Sequence, residues 1–233
     1  MCSSDLPTEE NLLVTAYRAY QALRPNIPAL SVSLEKHIPV QAGLGGGSSD
    51  AAAMLTYLNQ NTPEPLAETA LLELATALGA DVPFFLLNAS AKAEGIGERL
   101  TRLPQLPAWP VLLLKPRQWG VSTQEAFEAL SASNRQAKPW PTQLDRLESG
   151  MPLLVEDVYL CQHNDFEAPL RQASLQLDTA FTQLEALGLR PVLSGSGPTI
   201  VCILPEVPSS GLKSQLSEVF VSEFWWMTWT NLS

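Results

Sequence analysis

The chain has 233 residues, 45% hydrophobic and 16% charged, which suits one large domain or two small ones and argues against global disorder. Its 14 Lys+Arg against 24 Asp+Glu leave a net charge of -10, a poor match for wrapping nucleic acid or lying on an anionic membrane. An anionic ligand then has to be met locally, by backbone N–H groups, helix N-termini and a divalent cation.

Cys2, Cys161 and Cys202 are scattered and suggest neither a disulfide framework nor a zinc site. His37 and His163 lie too far apart for a helical metal-ligand pair. No apolar run approaches the roughly 18 residues of a membrane span. The start, MCSSDLPTEE, has neither the charged nor the apolar region of a secretory signal, so a soluble, reducing compartment is the default expectation.

Along the chain, residues 9–24 place Leu12, Leu13, Ala16, Tyr17, Tyr20 and Leu23 at helical spacing, with Thr8 or Asp5 as cap and Pro25 as stop. Residues 29–35 alternate, with Leu30, Val32 and Leu34 on one face, and predict a strand. A glycine-rich loop follows, then a helix over AAAMLTYLNQ and another over 66–78, ended by Gly79. AKAEGIGERLTRL reads as paired strands around glycines. LPQLPAWP, residues 103–110, is the candidate boundary between domains 1–108 and 109–233. VLLLKP predicts a buried strand, and VSTQEAFEAL a helix starting at Ser122 or Thr123. Residues 131–150 are polar and turn-rich. Helices are expected near 166–175, 177–187 and 210–218, and PVLSGSGPTIVCILP reads as strand, tight turn, strand. Alternating helices and hairpin-joined strands favour an α+β fold.

Three segments bear on chemistry. In the first, Pro39-Val40-Gln41-Ala42-Gly43-Leu44-Gly45-Gly46-Gly47-Ser48-Ser49-Asp50, the glycines permit positive φ and leave successive N–H groups uncovered. Ser48 and Ser49 sit where a helix is expected to begin, so the dipole and the hydroxyls favour an anion. This predicts a phosphate-binding loop, with a flexible turn as the bland alternative. It matches neither GxxxxGK[ST] nor GxGxxG. In the second, Leu193-Ser194-Gly195-Ser196-Gly197-Pro198-Thr199, a hairpin turn is sufficient explanation. Neither loop fits GxSxG, which counts against a serine hydrolase. In the third, Gly79-Ala80-Asp81-Val82-Pro83-Phe84-Phe85, the Asp81 carboxylate is either a helix cap or a base that takes a proton from a substrate hydroxyl.

The remaining candidates have plain readings. His163 is expected to be a loop histidine and Asp165 a helix cap. Trp225, Trp226 and Trp229 suit a strand or a partner surface, and Cys161 and Cys202 ordinary buried thiols.

Together, and in their chain order, the three segments resemble motifs of the GHMP kinase superfamily: the glycine loop its second motif, GADVPFF its base-bearing segment and LSGSGPT its third motif. GLGGGSSDAA, LGADVPFFL, AEGIGE, VST before a helix, and NDFE are similar to the 4-diphosphocytidyl-2-C-methyl-D-erythritol kinases within it. The resemblance runs from about Asn11 to about Leu204. It implies a two-domain α+β fold: an N-terminal domain like ribosomal protein S5, here incomplete, and a C-terminal ferredoxin-like α/β sandwich. It implies ATP with Mg²⁺, and a cytidine diphosphate methylerythritol as the small-molecule partner, with neither nucleic acid nor membrane. The ATP phosphates would lie on Pro39 to Ser49, Asn11 and Lys36 would flank the adenine, and Asp81 would be the base. Thr123, Gly195, Ser196 and Gly197 would lie on the substrate side. With a net charge of -10, ATP and the anionic alcohol have to be met by a locally positive pocket. The location implied is bacterial cytoplasm or plastid stroma. Alternatives are another GHMP kinase, such as a mevalonate or homoserine kinase, or a non-catalytic nucleotide-binding module.

Family members begin with strands carrying a Lys-x-Asn segment, which supplies the catalytic lysine, and a Tyr-His pair that reads the cytosine. This sequence contains neither a KxN near its start nor a Tyr-His pair, and FVSEFWWMTWTNLS is unlike the family's usual ending. The resemblance therefore implies a first domain short of its first strands, with an exposed sheet edge, and little or no turnover by this chain alone.

Overall fold

The structure is a computed structural model that describes residues 11–95, 97–131, 145, 149, 151 and 153–232. The Thr8 and Asp5 caps, Cys2 and most of 131–150 lie outside those residues. The chain divides into two compact units, Met1–Pro39 with Gly45–Leu103, and Val40–Leu44 with Pro104–Ser233. The mixture of helices and antiparallel strands makes the fold α+β.

The first unit is built on α1 (Leu12–Leu23), α2 (Gly46–Gln60), α3 (Glu68–Leu78) and α4 (Val82–Leu87). Asn11 caps α1, its Oδ1 accepting from Leu13 N at 3.0 Å. Ala16 and Tyr20 of α1 pack against Ala51, Ala52, Leu55 and Leu58 of α2, and small residues in α2 let the two helices approach closely. The buried Tyr20 hydroxyl donates to Asn59 Oδ1 at 2.8 Å, and that oxygen also accepts from Leu66 N at 2.7 Å. One polar side chain thus ties α1, α2 and the α2–α3 connection together. Gly79 ends α3 with extended backbone, φ 166°. The expected glycine hairpin is present as β1 (Ala91–Glu94) and β2 (Arg99–Arg102), paired antiparallel.

The strand predicted over 29–35 does not form: the segment carries no ladder. A strand exists only when a neighbour takes its N–H and C=O groups, and among the described residues none lies beside it. Val32 and Leu34 accordingly stay 50% and 38% exposed.

The second unit centres on a four-stranded antiparallel sheet of β3 (Pro110–Pro116), β4 (Pro191–Leu193), β5 (Ile200–Ile203) and β6 (Trp225–Asn231), in the order β4-β5-β3-β6. The side-chain period of two divides β3 and β5 cleanly. Leu112, Leu114, Ile200 and Cys202 enter one core, beneath α7 (Glu167–Ala173), α8 (Leu175–Ala186) and α9 (Ser210–Val219). Val111 and Ile203 enter a smaller one with Val155 of α6 (Val155–Cys161). The sequence reading missed α6, whose single apolar turn is too short to show a period. The tryptophan tail is β6, with Trp229 opposite Leu112 and Trp225 edge-on to Phe220. Helix α5 (Thr123–Ser131) starts from a reciprocal cap: Ser122 N donates to Glu125 Oε2 at 2.8 Å, and Glu125 N to Ser122 Oγ at 3.2 Å. Burial in β5 pushes the Cys202 thiol up to about 12, as suits an inert core thiol, whereas Cys161 is only half-buried.

Candidate functional site

The glycine loop is shared between the units: Val40–Leu44 belongs to the second and Gly45 onward to the first. In its first half Gln41 and Gly43 have φ of 53° and 72°. The LSGSG turn clasps this half. Ser194 Oγ donates to Gly43 O at 2.9 Å, and a Cβ on Gly43 would lie 2.3 Å from Ser194 O and 2.5 Å from Gly197 N. Only glycine meets both demands at position 43. Ala42 is buried, whereas Val40 and Gln41 are exposed.

In the second half Gly45, φ 67°, is the N-cap of α2, and no side chain caps that end. The helix starts at Gly46, two residues before the expected Ser48. Gly46, Gly47 and Ser48 are therefore its first residues, and their N–H groups have no partner within the helix. The Ser49 hydroxyl turns back, donating to Gly46 O at 2.8 Å.

Gly45 is required by the fold, since a Cβ there would sit 2.5 Å from Cζ of Phe85. Gly46 and Gly47 are not. A Cβ on Gly46 would make ordinary contacts, the nearest at 3.4 Å to Ile38 Cγ2, and a Cβ on Gly47 would meet nothing within 4 Å. Glycine in a helix costs about 1 kcal/mol relative to alanine. Two glycines in the first turn, where packing has room for side chains, leave an uncovered surface of amides at the positive end of a 15-residue helix.

Around this end the first unit gathers other predicted residues. Lys36 lies beside Gly46, its Nζ 3.8 Å from where a Cβ would be, but it is paired with the Asp50 carboxylate. The locally positive pocket expected from the net charge is thus offset here by a carboxylate. Asp81 occupies the N-cap position of α4 yet makes no capping hydrogen bond, and its side chain is exposed. One turn on, Phe85 lies against Gly45, which sets α4 beside the start of α2. Of the two readings of Asp81, the cap is therefore not made. Asn11 is not gathered here: its hydrogen bonds, among the described residues, all lie within the first turn of α1.

In the second unit the Ser196 hydroxyl donates to Thr123 Oγ1 at 3.3 Å, joining the GSG turn to the start of α5. Asn164, the first residue of NDFE, is one to which sequence reasoning gave no task. Its Nδ2 donates to Leu193 O and Gly195 O, each at 2.8 Å, while its Oδ1 accepts from Phe166 N at 2.9 Å. It braces the turn that clasps Gly43. The asparagine three residues before the helix start at Glu167 was the available signal. Asp165 is not the expected cap, since Phe166 holds that position. It instead hydrogen-bonds His163 Nε2 at 2.8 Å, and His163 is a loop residue as expected.

Among the described residues no three His, Cys, Asp or Glu side chains cluster to hold a metal. A Mg²⁺ that arrives on phosphate keeps its waters and needs only one or two protein oxygens. Asp50 lies in the first turns of α2, paired with Lys36, and Asp81 at the N-cap of α4.

The family model for the GHMP kinases N terminal domain matches residues 11–89. The 4-diphosphocytidyl-2-C-methyl-D-erythritol kinase of Solidesulfovibrio magneticus is 42% identical over 204 residues, covering 85% of this chain and 69% of that protein. The enzyme of the same name from Lawsonia intracellularis is 34% identical, covering 91% of this chain and 73% of its own. A crystal structure of 4-(cytidine 5'-diphospho)-2C-methyl-D-erythritol kinase superposes with a TM-score of 0.73 at 31% identity, over 97% of this chain and 79% of the other. Homoserine kinase from Cytophaga hutchinsonii has a TM-score of 0.70 at 19% identity, over 99% of this chain and 78% of its own, a likeness of fold alone. Among the described residues no helix is long and apolar enough to cross a membrane.

Proposed function

The chain belongs to the 4-diphosphocytidyl-2-C-methyl-D-erythritol kinase family of GHMP kinases, and from that premise we propose that it transfers the γ-phosphoryl group of ATP to the 2-hydroxyl of 4-diphosphocytidyl-2-C-methyl-D-erythritol, a step of non-mevalonate isoprenoid synthesis. The observation that carries the reading is the bare first turn of α2, where Gly46 and Gly47 leave amides uncovered for no reason of packing. Phosphoryl transfer asks a protein for positioning and charge stabilisation more than for covalent chemistry. The amides of Gly45 to Ser48 hold phosphate oxygens, with Pro39 to Leu44 leading into them and Ser49 fixing the turn from behind. A bound Mg²⁺ would offset the phosphate charge, with Asp50 or Asp81 as the protein oxygen toward it.

Asp81 takes the proton as the substrate oxygen bonds to the γ-phosphorus and the bond to the bridging oxygen breaks, releasing ADP. Its exposed, uncommitted carboxylate suits that task. Lys36 and Asn11 are assigned to the adenine side, Lys36 after release from Asp50. Thr123, Gly195, Ser196 and Gly197 are assigned to the alcohol.

The test is a single-turnover assay with γ-labelled ATP and excess protein, which registers transfer at whatever rate the chain sustains. Label is expected in the cytidine diphosphate alcohol, and slowly, because the sequence holds no Lys-x-Asn segment to supply the catalytic lysine. Label in mevalonate or homoserine instead would overturn the substrate, and failure to bind a non-hydrolysable ATP analogue would overturn the loop.

A further inference from the structure

Lys115 is a charged residue buried in β3 at 3% exposure. Its ammonium donates to two backbone carbonyls just downstream, Pro116 O at 3.0 Å and Trp119 O at 2.8 Å. Among the described residues it forms no ion pair with a carboxylate. Burial pushes its pKa down from the ordinary lysine value. An apolar side chain of similar volume would serve a central strand as well or better. The lysine instead closes the turn that follows the strand. That turn ends at Gly120, and Gly120 lies against the glycine loop. A Cβ on it would sit 2.6 Å from Gln41 Oε1 and 3.1 Å from Gln41 Cβ. Gln41 itself has φ 53°, a left-handed conformation that a non-glycine residue holds only when its surroundings over-determine it.

We propose that Lys115 is a positioning residue for nucleotide binding: by pinning the Pro116–Gly120 turn it fixes the bed on which Gln41 enters the glycine loop. Lys115 touches no part of the loop and acts through the turn. A lysine suits the role because an ammonium presents several donors at the end of a flexible stem, and so gathers two carbonyls of one turn onto one point. The affinity consequence rests on reading the glycine loop as the seat of the ATP phosphates. The mechanical link from turn to loop does not.

Hydrogen exchange and titration with the imido analogue of ATP test the proposal on the whole chain. Lys115→Met is expected to speed exchange about tenfold both in Arg117–Val121 and in Val40–Leu44, with α8 unmoved, and to weaken analogue binding about tenfold. Gly120→Ala, which presses on Gln41 from the other end, is expected to move the Val40–Leu44 exchange and the affinity in the same directions, and it decides alone if Lys115→Met does not fold. A lysine that served stability only would lower the unfolding midpoint and leave both readings as in the parent chain. Folded variants whose Val40–Leu44 exchange is unchanged overturn the proposal. Gly47→Val separates the premise from the proposal: it adds a side chain to the open amide surface without touching the turn. If it binds the analogue as tightly as the parent, the nucleotide reading fails and the exchange result alone judges the link.

Discussion

At the residue scale, spacing in the sequence marked which side chains to follow but not what each is already doing. Asp81 was legible as a carboxylate between a helix end and an apolar run, and the structure leaves it without a capping bond. Its replacement by asparagine keeps shape and removes basicity. Asp81→Asn is expected to lower turnover roughly 10²- to 10⁴-fold while leaving affinity for the ATP analogue unchanged; unchanged turnover in that variant would remove Asp81 from the mechanism. Lys36 was legible as a cation beside the loop, whereas its pairing with Asp50 depends on where α2 begins, which sequence placed two residues late. The error has a physical source. Glycine is a poor helix former, so a helix opening on Gly46-Gly47 contradicts propensity and reads as loop. Asn164 was legible as the first residue of NDFE but its task was not: its partners, Leu193 and Gly195, are some thirty residues away, beyond the reach of a local pattern.

At the element scale, periodic segments were readable and unpartnered ones were not. Both terminal helices of the described chain, α1 and α9, and the β4–β5 hairpin follow their patterns, because a helix face or a turn carries its signal within a dozen residues. The strand expected over 29–35 fails because pairing is a property of two segments, and alternation in one says nothing of its neighbour. β3 is the strand that most of the second unit leans on, paired with β5 on one edge and β6 on the other. Leu112 at its middle is fully buried. Leu112→Ala is therefore expected to cost about 2–5 kcal/mol, the transfer term plus an unfilled cavity, read as a fall in the urea midpoint. A shift of under about 1 kcal/mol would show that the core refills.

At the scale of the whole molecule, the net charge of -10 opposes an incoming polyphosphate. On the proposed reading the attraction comes from the amide dipoles at the start of α2, since the nearby Lys36 is offset by Asp50. Screening weakens the distant repulsion more than the contact at the helix end. The association rate of the ATP analogue is accordingly expected to hold or rise as salt goes from low to physiological, in stopped-flow fluorescence. A steep fall with salt would mean that basic side chains steer the ligand instead. The two-unit organisation was legible only in part. Proline-rich residues 103–110 mark one crossing of the chain, but the excursion of Val40–Leu44 into the second unit has no compositional mark. That excursion has a consequence for modular exchange. Severing the polypeptide after Leu103 does not yield two self-contained halves, because the upstream piece keeps a strip whose packing partners went with the other. A chimaera that borrows its second half from a related kinase would have to import the matching strip as a separate graft, so Val40–Leu44 and the half that packs on it are inherited together.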